Sequence, residues 1–207
     1  MDHQKHWERV YEINPAEKVG WYRPHLETSL RWIKSLGLSQ DSRIIDVGGG
    51  ASILVDDLTS EAFRSIAVVD LSKKALDLAR ERLGKRGKAI TWIDGDITSI
   101  KVPANYYDLW HDRAVFQFLT TPEQRQLYKK NLLKALKPRG DLILAVFAPE
   151  APPQCSGLPV ERYTRPDLKS TLGPEFELQK HLKELHVTPG GVEQMYLYCH
   201  FKRSADQ

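Results

Sequence analysis

Hydrophobic and polar positions alternate between two periods along this chain. Leu26, Leu30, Ile33 and Leu36 fall at helical spacing and stop at Gly37, which predicts an amphipathic helix over 25–37. Ile44, Ile45 and Val47 then make a short β-branched run, a buried strand over about 43–48, followed by a helix over about 52–60. Ile66 to Val69 form a second apolar run ending in Asp70. Ser72 caps the next helix, whose Ala75, Leu76, Leu78, Ala79 and Leu83 face inward before Gly84. A third strand is expected over 88–93 and a fourth over 107–111, leading to Asp112-Arg113. Thr121-Pro122-Glu123 opens a helix that the Lys137-Pro138-Arg139-Gly140 segment stops. Asp141 to Phe147 is an uninterrupted apolar strand, as in the buried centre of a parallel sheet.

After it come a Pro-rich loop (148–160), a short helix (165–172) and two strands (about 176–187 and 192–202) around Thr188-Pro189-Gly190-Gly191, a hairpin signal. Strand–helix alternation through 147 predicts an α/β fold: a Rossmann-like, doubly wound sheet of seven strands, mostly parallel, with a C-terminal antiparallel hairpin. Ligands of such sheets lie outside the carboxyl ends of the strands. The facing loops are therefore 48–52, 70–72, 94–97, 111–116 and 148–160, with the 188–191 turn at the same edge.

Composition changes this picture little. The 207 residues suit one domain, 1–207, and 41% hydrophobic with 28% charged residues is ordinary for a globular protein. A net charge of +3 is too small to argue for nucleic acid or a membrane surface. Two cysteines, Cys155 and Cys199, give neither a disulfide framework nor a zinc spacing, and no metal site is expected. Met1 to Gln40 lacks a leader's apolar core and no run approaches the length of a membrane span. The expectation is a cytoplasmic monomer or dimer.

Candidate chemistry centres on Asp46-Val47-Gly48-Gly49-Gly50-Ala51-Ser52. Glycines at the end of a parallel strand let the backbone turn tightly and approach a ligand. Twenty residues past Gly50, Asp70 ends the second strand, where an acid accepts hydrogen bonds from a ribose diol. The ligand is therefore of adenosine type. Residues 1–24 carry Trp7, Tyr11, Trp21 and Tyr22 and little aliphatic surface. Two readings stay open for this arm: a lid over the ligand, with Trp21, Tyr22 and Tyr11 above it, or plain packing at the sheet edge.

In order and spacing, four segments resemble those of class I S-adenosylmethionine-dependent methyltransferases, over about residues 40–202. Asp46-x-Gly48-x-Gly50 is similar to that family's first motif, with Ser52 at its last glycine position. Asp70 matches its ribose-binding acid, Asp96-Ile97 its adenine-binding pair, and Lys137-Pro138-x-Gly140 its segment before the fifth strand. The resemblance implies S-adenosyl-L-methionine as cofactor, held by Asp46, Gly48, Gly49, Gly50, Ser52, Asp70, Leu71, Asp96, Ile97 and His111. Gly48 to Ser52 with Trp110-His111-Asp112-Arg113-Ala114 is also similar to the group that includes the citrate synthase and elongation-factor lysine methyltransferases, which implies a protein-lysine acceptor. A small amine, oxygen, thiol or metalloid acceptor is the alternative, and a non-catalytic cofactor binder a third reading. A nicotinamide dehydrogenase is disfavoured: Gly-x-Gly-x-x-Gly is missing, and the Tyr-x-x-x-Lys pair, Tyr198 and Lys202, falls on the last strand.

Methyl transfer needs alignment, exclusion of water and, for some acceptors, a base. His111 and Asp112 are the candidate catalytic residues, since imidazole titrates near neutral pH; simple anchoring of a loop is the competing role. Arg113 reads as an ion-pair partner or a clamp for an acidic substrate. Cys155 falls in the loop at the pocket mouth, and Cys199 too far along its strand to share a ligand with it.

Overall fold

The computed structural model describes residues 2–205. Five parallel strands, β1 (Arg43–Val47), β2 (Ser65–Asp70), β3 (Thr91–Asp94), β4 (Tyr107–Arg113) and β5 (Leu136–Phe147), are joined by β9 (Glu193–Arg203) and β8 (Phe176–Val187). Their order is β3-β2-β1-β4-β5-β9-β8. Only β9 runs against its neighbours, pairing antiparallel with both β5 and β8. The doubly wound α/β sheet expected from the strand–helix alternation is the fold observed. A separate two-stranded ladder, β6 (Gln154–Cys155) with β7 (Leu158–Pro159), interrupts the Pro-rich loop.

Alternation along the strands divides the core in two. Leu142, Leu144 and Val146 of β5 pack with α5 (Pro122–Ala135) and α6 (Arg165–Leu172) on one face. Ile143, Ala145 and Phe147 pack with α2 (Glu27–Lys34), α3 (Leu54–Ser60) and α4 (Lys73–Leu83) on the other. Thr121 and Gln124 form a reciprocal capping box at the start of α5, with Pro122 in the first turn. Ser72 caps α4 as expected, its hydroxyl accepting the Ala75 N–H.

Three boundaries differ from the sequence reading. Residues 84–89 form a 3-10 turn, so β3 starts at Thr91 rather than 88; the polar Lys85-Arg86-Gly87-Lys88 offers no alternating face. The Lys137–Gly140 stop is absorbed into β5 as a bulge. Tyr107 pairs with Leu136 and the next pair is Leu109 with Asp141, so four residues loop out, with Arg139 at φ 59. Most consequential, β4 continues through His111, Asp112 and Arg113, which lie inside the sheet and not in a loop beyond it. Pairing with Asp46 and Val47 on one side and with Ile143, Leu144 and Ala145 on the other keeps these polar residues in strand conformation.

The fourth strand fixes α5 through a buried polar contact. Tyr128 donates its hydroxyl to Asp112 Oδ2 (2.7 Å) and accepts from Trp110 Nε1 (2.8 Å). Removing the phenol oxygen strands two fully buried groups at once. Tyr128→Phe is expected to lower stability by about 3 kcal/mol in urea denaturation; a loss under about 1 kcal/mol would mean that Asp112 and Trp110 find other partners.

Candidate active site

At the carboxyl edge of β1 the chain turns through Gly48, whose φ is +68°. A Cβ there would lie 2.0 Å from Val115 Cγ2, just past β4. Only glycine lets the two strand ends close this tightly. Two residues on, a Cβ on Gly50 would lie 2.6 Å from Asp70 Oδ2, so the acid at the tip of β2 rests directly against the glycine loop. Asp70 Oδ1 accepts the Ser72 N–H at 2.8 Å. Burial, together with the neighbouring Asp46, Glu8 and Asp94 carboxylates, pushes the Asp70 carboxyl up to about 7.

A cavity of about 490 Å³ opens along this edge. Of the residues read from sequence as cofactor contacts, Gly48, Asp70, Leu71, Asp96, Ile97, Tyr11 and Trp21 line it. Asp96 Oδ1 accepts the Thr98 N–H (2.8 Å) and hydroxyl (2.7 Å), which fixes its loop. Asp46, Gly49, Ser52, His111 and Tyr22 line a second cavity of about 40 Å³. Gly50 lines neither and acts through Asp70.

The two catalytic candidates are placed differently from the reading that put them in a loop at the ligand. His111 is 1% exposed, with Nδ1 2.7 Å from Asp46 Oδ1 and Nε2 2.9 Å from Ser29 Oγ. With its proton on Nδ1, the ring donates to Asp46 and accepts from Ser29, a clasp between β1, β4 and α2. Asp112 is fully buried and accepts from the Val115 and Phe116 amides and the Tyr128 hydroxyl. Burial raises its carboxyl to about 6. Neither lines the large cavity, and the polar atoms of both are already engaged. Their geometry is that of anchors.

The N-terminal arm walls off the cavity. Helix α1 (His3–Ile13) presents Trp7 and Tyr11, one turn apart, to it. Trp7 meets Trp21 and Phe118 edge-on, at 5.4 and 5.1 Å between centroids. Trp21 Nε1 donates to Tyr11 Oη at 3.0 Å. Polar ties hold the arm down, Arg23 on the His186 ring and the Leu185 carbonyl among them. Glu8 accepts from the Ser72 hydroxyl and the Lys73 and Lys74 amides, at the N-terminus of α4. Arg113 Nη1 donates to the Trp21 carbonyl, and His186 Nε2 to the Gly20 carbonyl. Burial lowers the His186 pKa, which keeps that ring a neutral donor.

Trp7, Val115, Phe118 and Cys155 line the cavity without having been singled out as cofactor contacts. The i, i+4 spacing of Trp7 and Tyr11 was the available signal. Cys155 is buried, its thiol raised to about 11. Cys199 packs in the core of the opposite sheet face, so the two thiols cannot share a ligand.

A family model for the methyltransferase domain matches residues 44–140. EEF1A lysine methyltransferase 2 of Danio rerio is 24% identical over 203 residues, covering 91% of this chain and 81% of that protein. Among solved structures, a SAM-dependent methyltransferase from Anabaena variabilis superposes with a TM-score of 0.74 at 16% identity, over 98% of this chain and 96% of that one. The 1,6-didemethyltoxoflavin-N1-methyltransferase of Burkholderia thailandensis, with S-adenosylhomocysteine bound, does so at 0.66 and 17%, over 94% and 81%.

The residues present fit an adenosine-bearing sulfonium cofactor: the cavity is large enough, Gly48 leaves it backbone to lie on, and Asp70 lines it. A ribose diol donating to Asp70 stabilises the carboxylate, so binding should release a proton. Binding of S-adenosylhomocysteine, measured by calorimetry, is expected to strengthen by up to about tenfold from pH 6 to pH 8. In Asp70→Asn it should be weaker and independent of pH; an equal pH slope in that variant would assign the proton elsewhere.

Loss of the Glu8 carboxylate should loosen the arm. Glu8→Ala is expected to speed cleavage within residues 2–24 about fivefold, as the loss of roughly 1 kcal/mol at a helix N-terminus implies. Unchanged cleavage would show that the aromatic contacts alone hold the arm.

Proposed function

We propose that this chain, which is a class I S-adenosylmethionine-dependent methyltransferase, carries the methyl group to the side-chain amine of a protein lysine. The observation that carries the reading is the aromatic wall of Trp7, Trp21 and Phe118 beside Gly48. Flat aromatic faces suit the aliphatic stem of lysine and the methylated ammonium it becomes. The lysine acceptor named for the Danio rerio relative, which aligns with 91% of this chain, supports it.

The cofactor supplies an electrophilic methyl on a sulfonium, open to in-line displacement. The chain's own residues bind, orient and exclude water. In this reading Asp70 takes the ribose and Asp96 with Ile97 the adenine, while Asp46, Gly48, Gly49 and Ser52 shape the path of the amino-acid end. His111 and Asp112 position the strand that carries them and take no proton. A lysine ammonium must therefore lose its proton to water on entry, which desolvation by the aromatic wall favours. The arm is the lid that closes over the reactants, with Trp21 and Tyr11 above the cofactor and Tyr22 beside the small cavity. No helix among the described residues is long and apolar enough to cross a membrane. We place the reaction in the cytoplasm, which the two free thiols suit.

Incubating the protein with an extract and methyl-labelled cofactor tests this. Acid-stable label on a protein band, recovered as N-methyl-lysine after hydrolysis, is expected. Label confined to the small-molecule fraction would replace lysine with a small acceptor.

A further inference from the structure

We propose that Arg113 forms a carboxylate-binding subsite where the large and small cavities meet. The inference rests on the methyltransferase reading and not on the identity of the acceptor.

Strand β4 carries this guanidinium into the interior, where it is 8% exposed and lines both cavities. Nε donates to Tyr198 Oη and Nη1 to the Trp21 carbonyl, both at 3.1 Å. Nη2 is buried with no acceptor. The Tyr196 ring lies 4.4 Å from the guanidinium carbon, and its own hydroxyl is also buried without a partner. The guanidinium thus carries an unmet donor and no carboxylate partner.

No carboxylate among the described residues is in ion-pair contact with Arg113. Glu184, whose charge reaches it, is paired with Arg23 at 3.6 Å. Its other neighbours offer a hydroxyl from Tyr198, the ring face of Tyr196, the His186 imidazole and the Cys155 thiol, and no carboxylate. A guanidinium cannot neutralise itself by losing a proton, and leaving it buried without a counter-charge is costly. A carboxylate entering the cavity supplies both the charge and the missing acceptor. The remaining N–H bonds of Nη1 and Nη2 form the fork that such a group fits.

The same charge repels an ammonium. With a carboxylate on Arg113 the local field is cancelled, and an amine can approach the methyl group. The chemistry is shared by two sources, the amino-acid end of the cofactor and an acidic group on the acceptor, and the experiment separates them.

Calorimetry compares S-adenosylhomocysteine with 5′-methylthioadenosine, the same nucleoside thioether with a methyl group in place of the amino-acid end, its ammonium and carboxylate both missing. If the cofactor supplies the carboxylate, the wild type is expected to prefer S-adenosylhomocysteine at least tenfold. Arg113→Gln then loses most of that preference, its affinity falling far more for S-adenosylhomocysteine than for 5′-methylthioadenosine, and Arg113→Lys restores part of it. If the acceptor supplies it, the variants keep the wild type's preference between the two nucleosides. Succinate then binds the wild type saturated with S-adenosylhomocysteine, and binds Arg113→Gln at least tenfold more weakly. Wild type and variants that agree on all three ligands would overturn the subsite. A wild type that binds neither nucleoside overturns the cofactor reading beneath it. Should Arg113→Gln not fold, Arg113→Lys carries the comparison, with a severalfold loss expected for whichever carboxylate ligand binds.

Discussion

Three consecutive polar side chains buried in a central strand constrain everything else in this molecule. His111 and Asp112 have parallel neighbours on both sides, Arg113 pairs with Ala145 on one, and all three are buried. Each must find its partners in another layer or bear the cost of desolvation. Alternation sends His111 and Arg113 to one face and Asp112 to the other. His111 takes Asp46 of β1 and Ser29 of α2; Asp112 takes Tyr128 of α5; Arg113 takes Tyr198 of β9 and the arm. One strand end thus sets the position of both helix layers and of the N-terminal segment.

The cavity follows from that arrangement. Asp112 accepts the Val115 and Phe116 amides, which folds the chain back immediately after β4. Val115 is thereby pressed against the end of β1, and Gly48 is the residue that tolerates it. The glycine loop then passes under Asp70 and leaves the carboxyl edge open between β1 and β4. The shape of the cavity and the packing of the core are linked here through a handful of side chains, among them Asp112, which does not line the cavity.

What the sequence made legible was local. Glycine at a strand end and an acid twenty residues on are constraints of backbone and spacing, and both Gly48 and Asp70 line the cavity where expected. The aromatic content of the arm was visible too. The roles of His111 and Asp112 were not, because their partners lie 65 and 16 residues away, and nothing local distinguishes a buried clasp from a reactive base. The Lys137–Gly140 bulge depends on its register against β4, and the docking of Glu8 on a helix 65 residues later depends on the finished fold. Long-range hydrogen bonds of this kind leave no periodic trace.

The arm differs in kind from the body it covers. The sheet faces are held by extensive aliphatic burial on both sides, whereas the arm is held by a small apolar cluster around Tyr11 and Val19, a carboxylate on helix amides, contacts of Arg23, Arg113 and His186, and a few edge-on rings. Contacts of that sort are worth roughly 1 kcal/mol each, so the segment can open at a small fraction of the global unfolding free energy. The tie through Arg113 is also the one that shares a side chain with the cavity. A ligand that draws the guanidinium toward itself must alter its hold on the Trp21 carbonyl, and through Trp21 the stack with Trp7 and Tyr11. In the proposed reading, cavity occupancy and the arm are linked through Arg113 as well as through the Trp7, Tyr11 and Trp21 rings that line the cavity.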